Sequence, residues 1–264
     1  MKNILVVITT AFVPTGGLTT VMMNYYRMMN KEEVKIDFAS TNNPPQVLLD
    51  EIHASGSEYY QLSDRKNVLA YFFALKKLCR GYDAIHVHAN SAMAVMELQA
   101  AIWAGIKIRI IHNHSSRSQH NLLNQLFLSL YRRSFTQAVA CSDEAGEWLY
   151  GKNGFITLRN AINAKRFKFD VVKRLIMRHN FGFGDDEYVI GHIGKFMEAK
   201  NHSFLIEVFA KYHALQPKSK LLLIGDGELR HLVEAAIDKN KVNDCVILAG
   251  LRSDRSEEHT SELQ

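Results

Sequence analysis

The hydrophobic pattern alternates between short apolar runs and longer stretches in which apolar residues recur every three or four positions. Ile4–Ile8 is a continuous apolar run, which is typical of a strand buried in a parallel sheet. After a loop, the apolar residues from Leu18 to Met29 follow helical spacing and predict an amphipathic helix. Because this order of strand and helix repeats, the pattern predicts βαβ units and parallel sheets.

The first series of elements continues to residue 158. Further strands are predicted at 34–39, 58–62, 84–88, 106–111, 137–141 and 155–158, and further helices at 47–54, 68–81, 91–103, 121–135 and 142–150. Ser91 and Ser142 are the expected N-caps of two of these helices. The helix at 121–135 is expected to pack its apolar side against the core, with a place at a membrane surface as the alternative.

A change in composition marks the expected domain boundary. Residues 159–163 break the alternation, a polar and basic helix is predicted at 170–180, and a glycine-rich loop follows. The rhythm then resumes, with strands predicted at 188–193, 220–224 and 245–248 and helices at 201–214 and 228–239. We therefore expect two doubly wound α/β domains facing a cleft, at residues 1–163 and 164–254.

The last residues do not follow the pattern. The sequence RSDRSEEHTSELQ is polar and aperiodic, and its end resembles a translated sequencing adaptor. Only three strands are predicted in the second domain, fewer than a doubly wound domain usually has. The expectation is that residues 255–264 are a non-native tail and that the second domain is incomplete.

Composition narrows the class of protein. With 47% hydrophobic and 22% charged residues, the chain has the composition of a soluble globular protein. A net charge of +5 suits a phosphate-bearing ligand or an anionic membrane surface, and no nucleic-acid-binding signature indicates DNA or RNA as a partner. Cys79, Cys141 and Cys245 are far apart and form no metal or redox motif, which favours buried thiols in a reducing cytoplasm.

The loop after the predicted strand at 188–193 has the composition of an anion site. It contains Gly194, Lys195 and Lys200, and Asn201 is the expected N-cap of the next helix. Two cations beside a helix N-terminus favour a phosphate group. A surface loop that carries two lysines and binds no ligand would have the same kind of sequence. This stretch alone therefore leaves both interpretations open.

Other candidate residues follow other predicted strands, where open α/β sheets bind their ligands. They are Gly16–Gly17, His86 and His88, His112 and His114, and Gly225–Asp226–Gly227. The His-x-His pair could hold a metal ion, but no third ligand is expected near it. Structural histidines at the strand ends are therefore the preferred interpretation, His88 could also line an acceptor cleft, and no metal site is predicted.

Several segments together carry a resemblance to a known family. They are FVPTGGLTTVMMNYYR, YDAIHVHAN, IRIIHNHSS, LRNAINAKRFKF, IGHIGKFMEAKNHSFLIEVF, LLLIGDGELR and VILAGLRSD. With these segments in this order, the chain resembles the retaining, nucleotide-sugar-dependent glycosyltransferases of family 4, and most of all the bacterial exopolysaccharide and capsule enzymes. The resemblance implies the GT-B fold, with two Rossmann-like domains facing a cleft.

The resemblance also implies roles for particular residues. His114 matches the histidine near the reacting sugar, and Lys195 and Lys200 match the cations that neutralise the departing diphosphate. The residues implied to contact the donor are Gly16, Gly17, Gly194, Lys195, Lys200, Gly225, Asp226, Gly227 and Leu251. The implied donor substrate is a UDP- or GDP-hexose, with no tightly bound cofactor. The implied acceptor is lipid-linked or a saccharide, and the implied location is the cytoplasm, with peripheral contact at the inner membrane.

Two departures from the family pattern leave alternatives open. Lys195 stands where the family usually has arginine, which loses the bidentate geometry of a guanidinium. The family's paired-glutamate motif has no match in the chain. An inactive truncated fragment that binds nucleotide weakly is therefore one alternative, and a nucleotide-sugar epimerase of the same fold is another. A dinucleotide-dependent oxidoreductase is disfavoured, because neither glycine turn reads G-x-G-x-x-G.

Overall fold

The computed structural model describes residues 1–14, 16–116 and 121–252. The chain divides into two compact units, Met1–Ile162 and Asn163–Gln264. The boundary predicted from sequence lies one residue from this division. The tail expected at residues 255–264 lies outside the described residues. No helix within the described ranges is long and apolar enough to span a membrane.

The first unit is built on a seven-stranded parallel sheet with strand order β3-β2-β1-β4-β5-β6-β7. Its strands are β1 (Lys2–Ile8), β2 (Val34–Ser40), β3 (Tyr59–Gln61), β4 (Ala84–Ala89), β5 (Ile108–Asn113), β6 (Gln137–Ala140) and β7 (Ile156–Thr157). Its helices are α1 (Gly17–Met28), α2 (Gln46–Ala54), α3 (Val68–Cys79), α4 (Val95–Ala104), α5 (Asn121–Ser134) and α6 (Asp143–Tyr150). The strand order reverses at β1, as in a doubly wound fold.

The central strands read as apolar runs because both of their faces are covered. On β1, Leu5 and Val7 are buried in the core on one face of the sheet, and Val6 and Ile8 are buried in the core on the other face. Strand β5 begins later than predicted and ends later, because its pairing with β6 continues through Asn113. This shift places His112 within β5 and His114 one residue beyond its end.

Two predicted caps have different outcomes. The Ser142 hydroxyl accepts a hydrogen bond from the Ala145 amide at 3.1 Å, which confirms it as the N-cap of α6. Ser91 makes no side-chain cap bond. A short 3-10 turn at Ala92–Ala94 precedes α4 instead, and the Ala92 amide donates to the Asn124 side chain at 2.7 Å.

Helix α5 corrects one expectation about packing. Its position agrees with the prediction, but its apolar side is not mainly directed at the core. Tyr131 is fully buried, whereas Leu122 is 80% exposed and Leu126 is 70% exposed. The helical period identifies an apolar stripe, but here only part of that stripe is covered by neighbouring elements.

A buried carboxylate joins two helices of the first unit. Glu97 of α4 is fully buried, a position that an acidic side chain occupies only when it is paired. The Tyr71 hydroxyl donates to Glu97 Oε1 at 2.9 Å, and Arg65 Nη2 donates to Oε2 at 3.2 Å. These contacts tie α3 and the segment before it to α4.

The second unit contains a three-stranded parallel sheet of order β10-β9-β8. Its strands are β8 (Tyr188–Ile193), β9 (Ser219–Ile224) and β10 (Val246–Gly250), and its helices are α7 (Val171–Phe181), α8 (His202–Leu215) and α9 (Arg230–Asn240). Phe196, Ile206, Phe209, Leu221 and Leu223 form the centre of its core. The alternating order of strands and helices agrees with the prediction.

Candidate active site

The loops that follow β8 and β9 are joined by backbone hydrogen bonds. The Gly194 amide donates to the Ile224 carbonyl at 3.0 Å, and the Phe196 amide donates to the Asp226 carbonyl at 3.0 Å. The Phe196 carbonyl in turn accepts from the Leu229 amide at 3.2 Å. The lysine loop and the Gly-Asp-Gly loop are therefore one connected structure at the carboxyl end of the second sheet.

Two glycines make this close approach possible. Gly225 has a φ of +147°, and a Cβ atom at this position would lie 2.0 Å from the Gly194 carbonyl oxygen. A Cβ atom at Gly227 would lie 2.5 Å from the carbonyl oxygen of Phe196. Both glycines thus have a structural reason to be present, whether or not a ligand approaches them.

The two lysines predicted to bind diphosphate lie in the same loop but in different surroundings. Lys195 Nζ is 2.7 Å from Glu228 Oε1, and this hydrogen bond and charge hold the pKa of the Glu228 carboxyl below its usual value. Lys200 ends a short 3-10 turn and is exposed, and it makes no ion pair within the part of the chain that the structure describes. Lys200 is therefore the freer of the two cations.

The N-terminus of α8 differs from the prediction for Asn201. Asn201 has a φ of +46°, and its side chain makes no capping bond, so it is a left-handed turn residue rather than a side-chain cap. His202 begins the helix; it is buried and packs edge-on against His192 and Phe196. Burial, followed by the charge of Lys200, lowers the pKa of His192.

The remaining predicted donor contacts of the second unit are Asp226 and Leu251. The Asp226 carboxylate accepts a hydrogen bond from the Gly227 amide at 2.8 Å and lies 3.5 Å from Arg230. Leu251 follows β10 and is exposed. Asp226 therefore stabilises its own turn, and Leu251 presents an exposed apolar side chain directly after β10.

In the first unit, Gly16 and Gly17 lie at the N-terminus of α1. Gly16 is the N-cap residue, and its amide donates to the Val13 carbonyl at 2.9 Å. A Cβ atom at Gly17 would meet nothing within 4 Å. Gly17 thus leaves an open approach to the start of a twelve-residue helix, where amide groups favour an anion.

Four histidines of β4, β5 and the following residue lie together. The strand register pairs His88 with His112, and alternation along β4 places His86 on the same face as His88. Neighbouring rings of the cluster have centroids 4.1–5.7 Å apart. His88 Nδ1 and His114 Nε2 are 2.9 Å apart and share one hydrogen bond.

This cluster corrects the expectation that the His-x-His pair lacks a third potential ligand nearby. One ring nitrogen each of His86, His88 and His112 lies within 4.8 Å of the other two. The sequence does contain the signal, because both histidine pairs end predicted strands. Its use requires the register of β4 against β5, which the sequence pattern does not supply.

Burial keeps the histidine cluster neutral. It lowers the pKa of His86 and of His114 to about 4 and that of His112 to about 2. Burial and the three neighbouring imidazoles lower the pKa of His88 as well. At neutral pH these side chains can exchange hydrogen bonds or bind a cation, but they carry no charge.

Residues 15–172 match the family model described as "Glycosyltransferase Family 4", and residues 173–260 match the model described as "Glycosyl transferases group 1". The Bacillus subtilis (strain 168) protein named "Putative glycosyltransferase EpsF" is 28% identical over 250 residues, which cover 88% of this chain. This chain spans 65% of the length of that relative.

Two further likenesses extend over most of the chain. N-acetyl-alpha-D-glucosaminyl L-malate synthase of Bacillus anthracis is 22% identical across 94% of this chain and 68% of its own length. The crystal structure of Anabaena HepE in complex with UDP and glucose aligns with a TM-score of 0.81 at 16% identity. That alignment covers 99% of this chain and 73% of the HepE chain, and it supports a common fold.

These likenesses confirm the predicted α/β fold of the GT-B class, with parallel sheets and alternating helices. The first family model covers more than half of the residues of this chain, and the chain therefore belongs to glycosyltransferase family 4.

Proposed function

We propose that this protein takes part in the transfer of a hexose from a nucleotide diphosphate sugar to a lipid-linked or saccharide acceptor, with retention of configuration, in the synthesis of an exopolysaccharide or capsule. Family membership and the likeness to EpsF support the class of reaction. The HepE structures in complex with UDP, and with UDP-glucose, support a uridine nucleotide as the donor carrier.

The observation that carries this proposal is the connected pair of loops with Lys195 and Lys200. In the reaction, the bond from the anomeric carbon to the diphosphate oxygen breaks, and the acceptor hydroxyl oxygen bonds to that carbon. The proton of the acceptor passes to the departing diphosphate. Negative charge therefore grows on the diphosphate, and fixed ammonium groups beside it stabilise the transition state.

The first unit would supply the other contacts. Gly17 leaves space for a phosphate at the start of α1, and Gly16 holds the preceding turn. His114 would lie near the reacting sugar as a neutral hydrogen-bonding group, since its pKa is lowered by burial. Leu251 in the second unit would border the base.

The test compares binding of UDP and of uridine to the full chain by calorimetry. Lys200→Ala should weaken UDP binding about tenfold or more, the loss of about 1.4 kcal/mol or more expected for a charge-assisted hydrogen bond, and leave uridine binding unchanged. Lys211→Ala, at an exposed lysine on α8, is the matched control. Equal loss for both nucleotides, or none for UDP, would contradict the assigned role.

A second variant tests the first unit separately. Gly17→Ala adds a methyl group in open space within a helix, so the fold should not be disturbed. If the phosphate approaches here, UDP-hexose binding should weaken while the unfolding midpoint is unchanged or higher. Unchanged binding would remove Gly17 from the donor site.

We also propose that the protein works in the cytoplasm with peripheral contact at the membrane face, through α5. The exposed leucines at 122, 126 and 130 are followed by exposed Arg132 and Arg133, a combination that suits an anionic lipid surface. Leu126→Glu should reduce co-sedimentation with vesicles that contain anionic phospholipid. Leu215→Glu, at an equally exposed leucine of the second unit, should not. Equal effects of both variants would contradict a specific role of α5.

A further inference from the structure

The histidine cluster contains buried nitrogen atoms that find no partner in the described part of the chain. They are Nδ1 and Nε2 of His112, which is 1% exposed, and Nε2 of the half-buried His86. A buried polar atom without a hydrogen bond costs about 1–3 kcal/mol, and such atoms are rare in native proteins. An imidazole with both nitrogens in this state calls for a partner outside the chain, an ordered water molecule or an ion.

The geometry points to a cation. One ring nitrogen from each of His86, His88 and His112 lies within 4.8 Å of the other two. In a tetrahedral site with metal–nitrogen bonds of about 2.0–2.1 Å, the ligand nitrogens are about 3.4 Å apart. Small rotations of the rings would close this difference, and all three side chains start from one face of two hydrogen-bonded strands.

His114 gives the cluster a feature of assembled metal sites. Its Nε2 is 2.9 Å from Nδ1 of His88, so a cation in the cluster would be bound by the other ring nitrogen of His88, Nε2. If His88 donates this hydrogen bond, His114 fixes both its tautomer and its ring orientation. Metal-binding histidines usually have such an outer partner, and its loss weakens metal affinity about 10–100-fold.

We propose that His86, His88 and His112 form a site for a borderline divalent transition metal such as Zn²⁺ or Co²⁺, with His114 as the positioning residue. The set holds three imidazoles and no carboxylate, which disfavours Mg²⁺ and Ca²⁺. Three protein ligands leave a fourth position open to water or a substrate group.

The experiment titrates Co²⁺ into the full chain, freed of any affinity tag and treated with EDTA, and records the visible absorption spectrum. One equivalent should bind with the intense bands of a tetrahedral site, and Zn²⁺ should displace it. His86→Ala should remove these bands or weaken binding at least tenfold, because it deletes one of three ligands. His114→Ala should weaken affinity about 10–100-fold and leave the band positions unchanged.

The control is His53→Ala. His53 is exposed, and its Nε2 lies 4.0 Å from a Glu58 carboxylate oxygen, so it forms a surface pair that could bind metal adventitiously. This variant should keep the full spectrum. Circular dichroism in EDTA checks that His86→Ala is folded, and His86→Gln replaces it if it is not. The proposal is overturned if no tetrahedral spectrum develops, or if His86→Ala and His86→Gln bind as well as the original chain.

Discussion

Replacement of Gly225 by alanine should destabilise the second unit more than other glycine substitutions in that unit. An added Cβ atom would lie 2.0 Å from the Gly194 carbonyl oxygen, well inside the 3.4 Å at which ordinary contact begins. The φ of +147° also disfavours any residue with a side chain. Overpacking costs about 1–3 kcal/mol and an unfavourable backbone conformation about 1–3 kcal/mol. The expected loss is therefore about 2–6 kcal/mol.

Two control variants separate these contributions. Gly182 has a φ of +72° with open space around it, so Gly182→Ala should cost about 1–2 kcal/mol through conformation alone. Gly227 has no positive φ, but its added Cβ atom would lie 2.5 Å from the Phe196 carbonyl oxygen. Gly227→Ala should therefore cost about 1–3 kcal/mol through overpacking alone.

The assay is urea unfolding monitored by two probes, circular dichroism and tryptophan fluorescence. Circular dichroism reports helices in both units, whereas the two tryptophans, Trp103 and Trp148, belong to the first unit. Gly225→Ala should lower the free energy of unfolding seen by circular dichroism more than Gly182→Ala does. An equal effect of these two variants would show that the approach of the Gly225 backbone to Gly194 is not tight.

Three further predictions concern other parts of the fold. Arg65→Ala leaves the buried Glu97 carboxylate without its cation and should destabilise the first unit by about 3–5 kcal/mol, measured by tryptophan fluorescence in urea; a loss below about 1 kcal/mol would contradict the pairing. Gly146→Ala would place a Cβ atom 2.2 Å from the Phe155 ring, so it should be destabilising alone and less so combined with Phe155→Ala in a double-mutant cycle; additive losses would refute the contact. Burial lowers the pKa of His202 below 6.5, so the unfolded chain binds more protons and stability should fall as the pH drops below 6.5. His202→Gln should reduce this slope in unfolding measurements by circular dichroism, and an unchanged slope would exclude His202 as its source.

The sequence predicted the order of strands and helices well, because buried parallel strands are uninterrupted apolar runs. The run Ile4–Ile8 and the helical spacing after Leu18 each correspond to an observed element, β1 and α1. Burial of a helix face was predicted less well. In α5 the period locates the leucines, but only the surrounding elements determine whether Leu126 is covered.

The candidate site was predicted as a set of loops rather than as contacts. Sequence spacing places Lys195 and Lys200 in one loop, but the partner of Lys195 is Glu228, 33 residues away. Likewise, His112 joins His86 only through the register of two strands. Contacts of this kind depend on tertiary pairing, which local pattern and charge do not specify.

The double engagement of the Phe196 peptide groups constrains how this protein can vary. Its amide and carbonyl bond respectively to Asp226 and to Leu229, on either side of Gly227. An insertion or deletion that displaces Phe196 relative to Asp226 and Leu229 would break both hydrogen bonds. Homologues that differ in the length of one loop should therefore also differ in the length of the other. Gaps that occur together at both loops of a sequence alignment would indicate this connection.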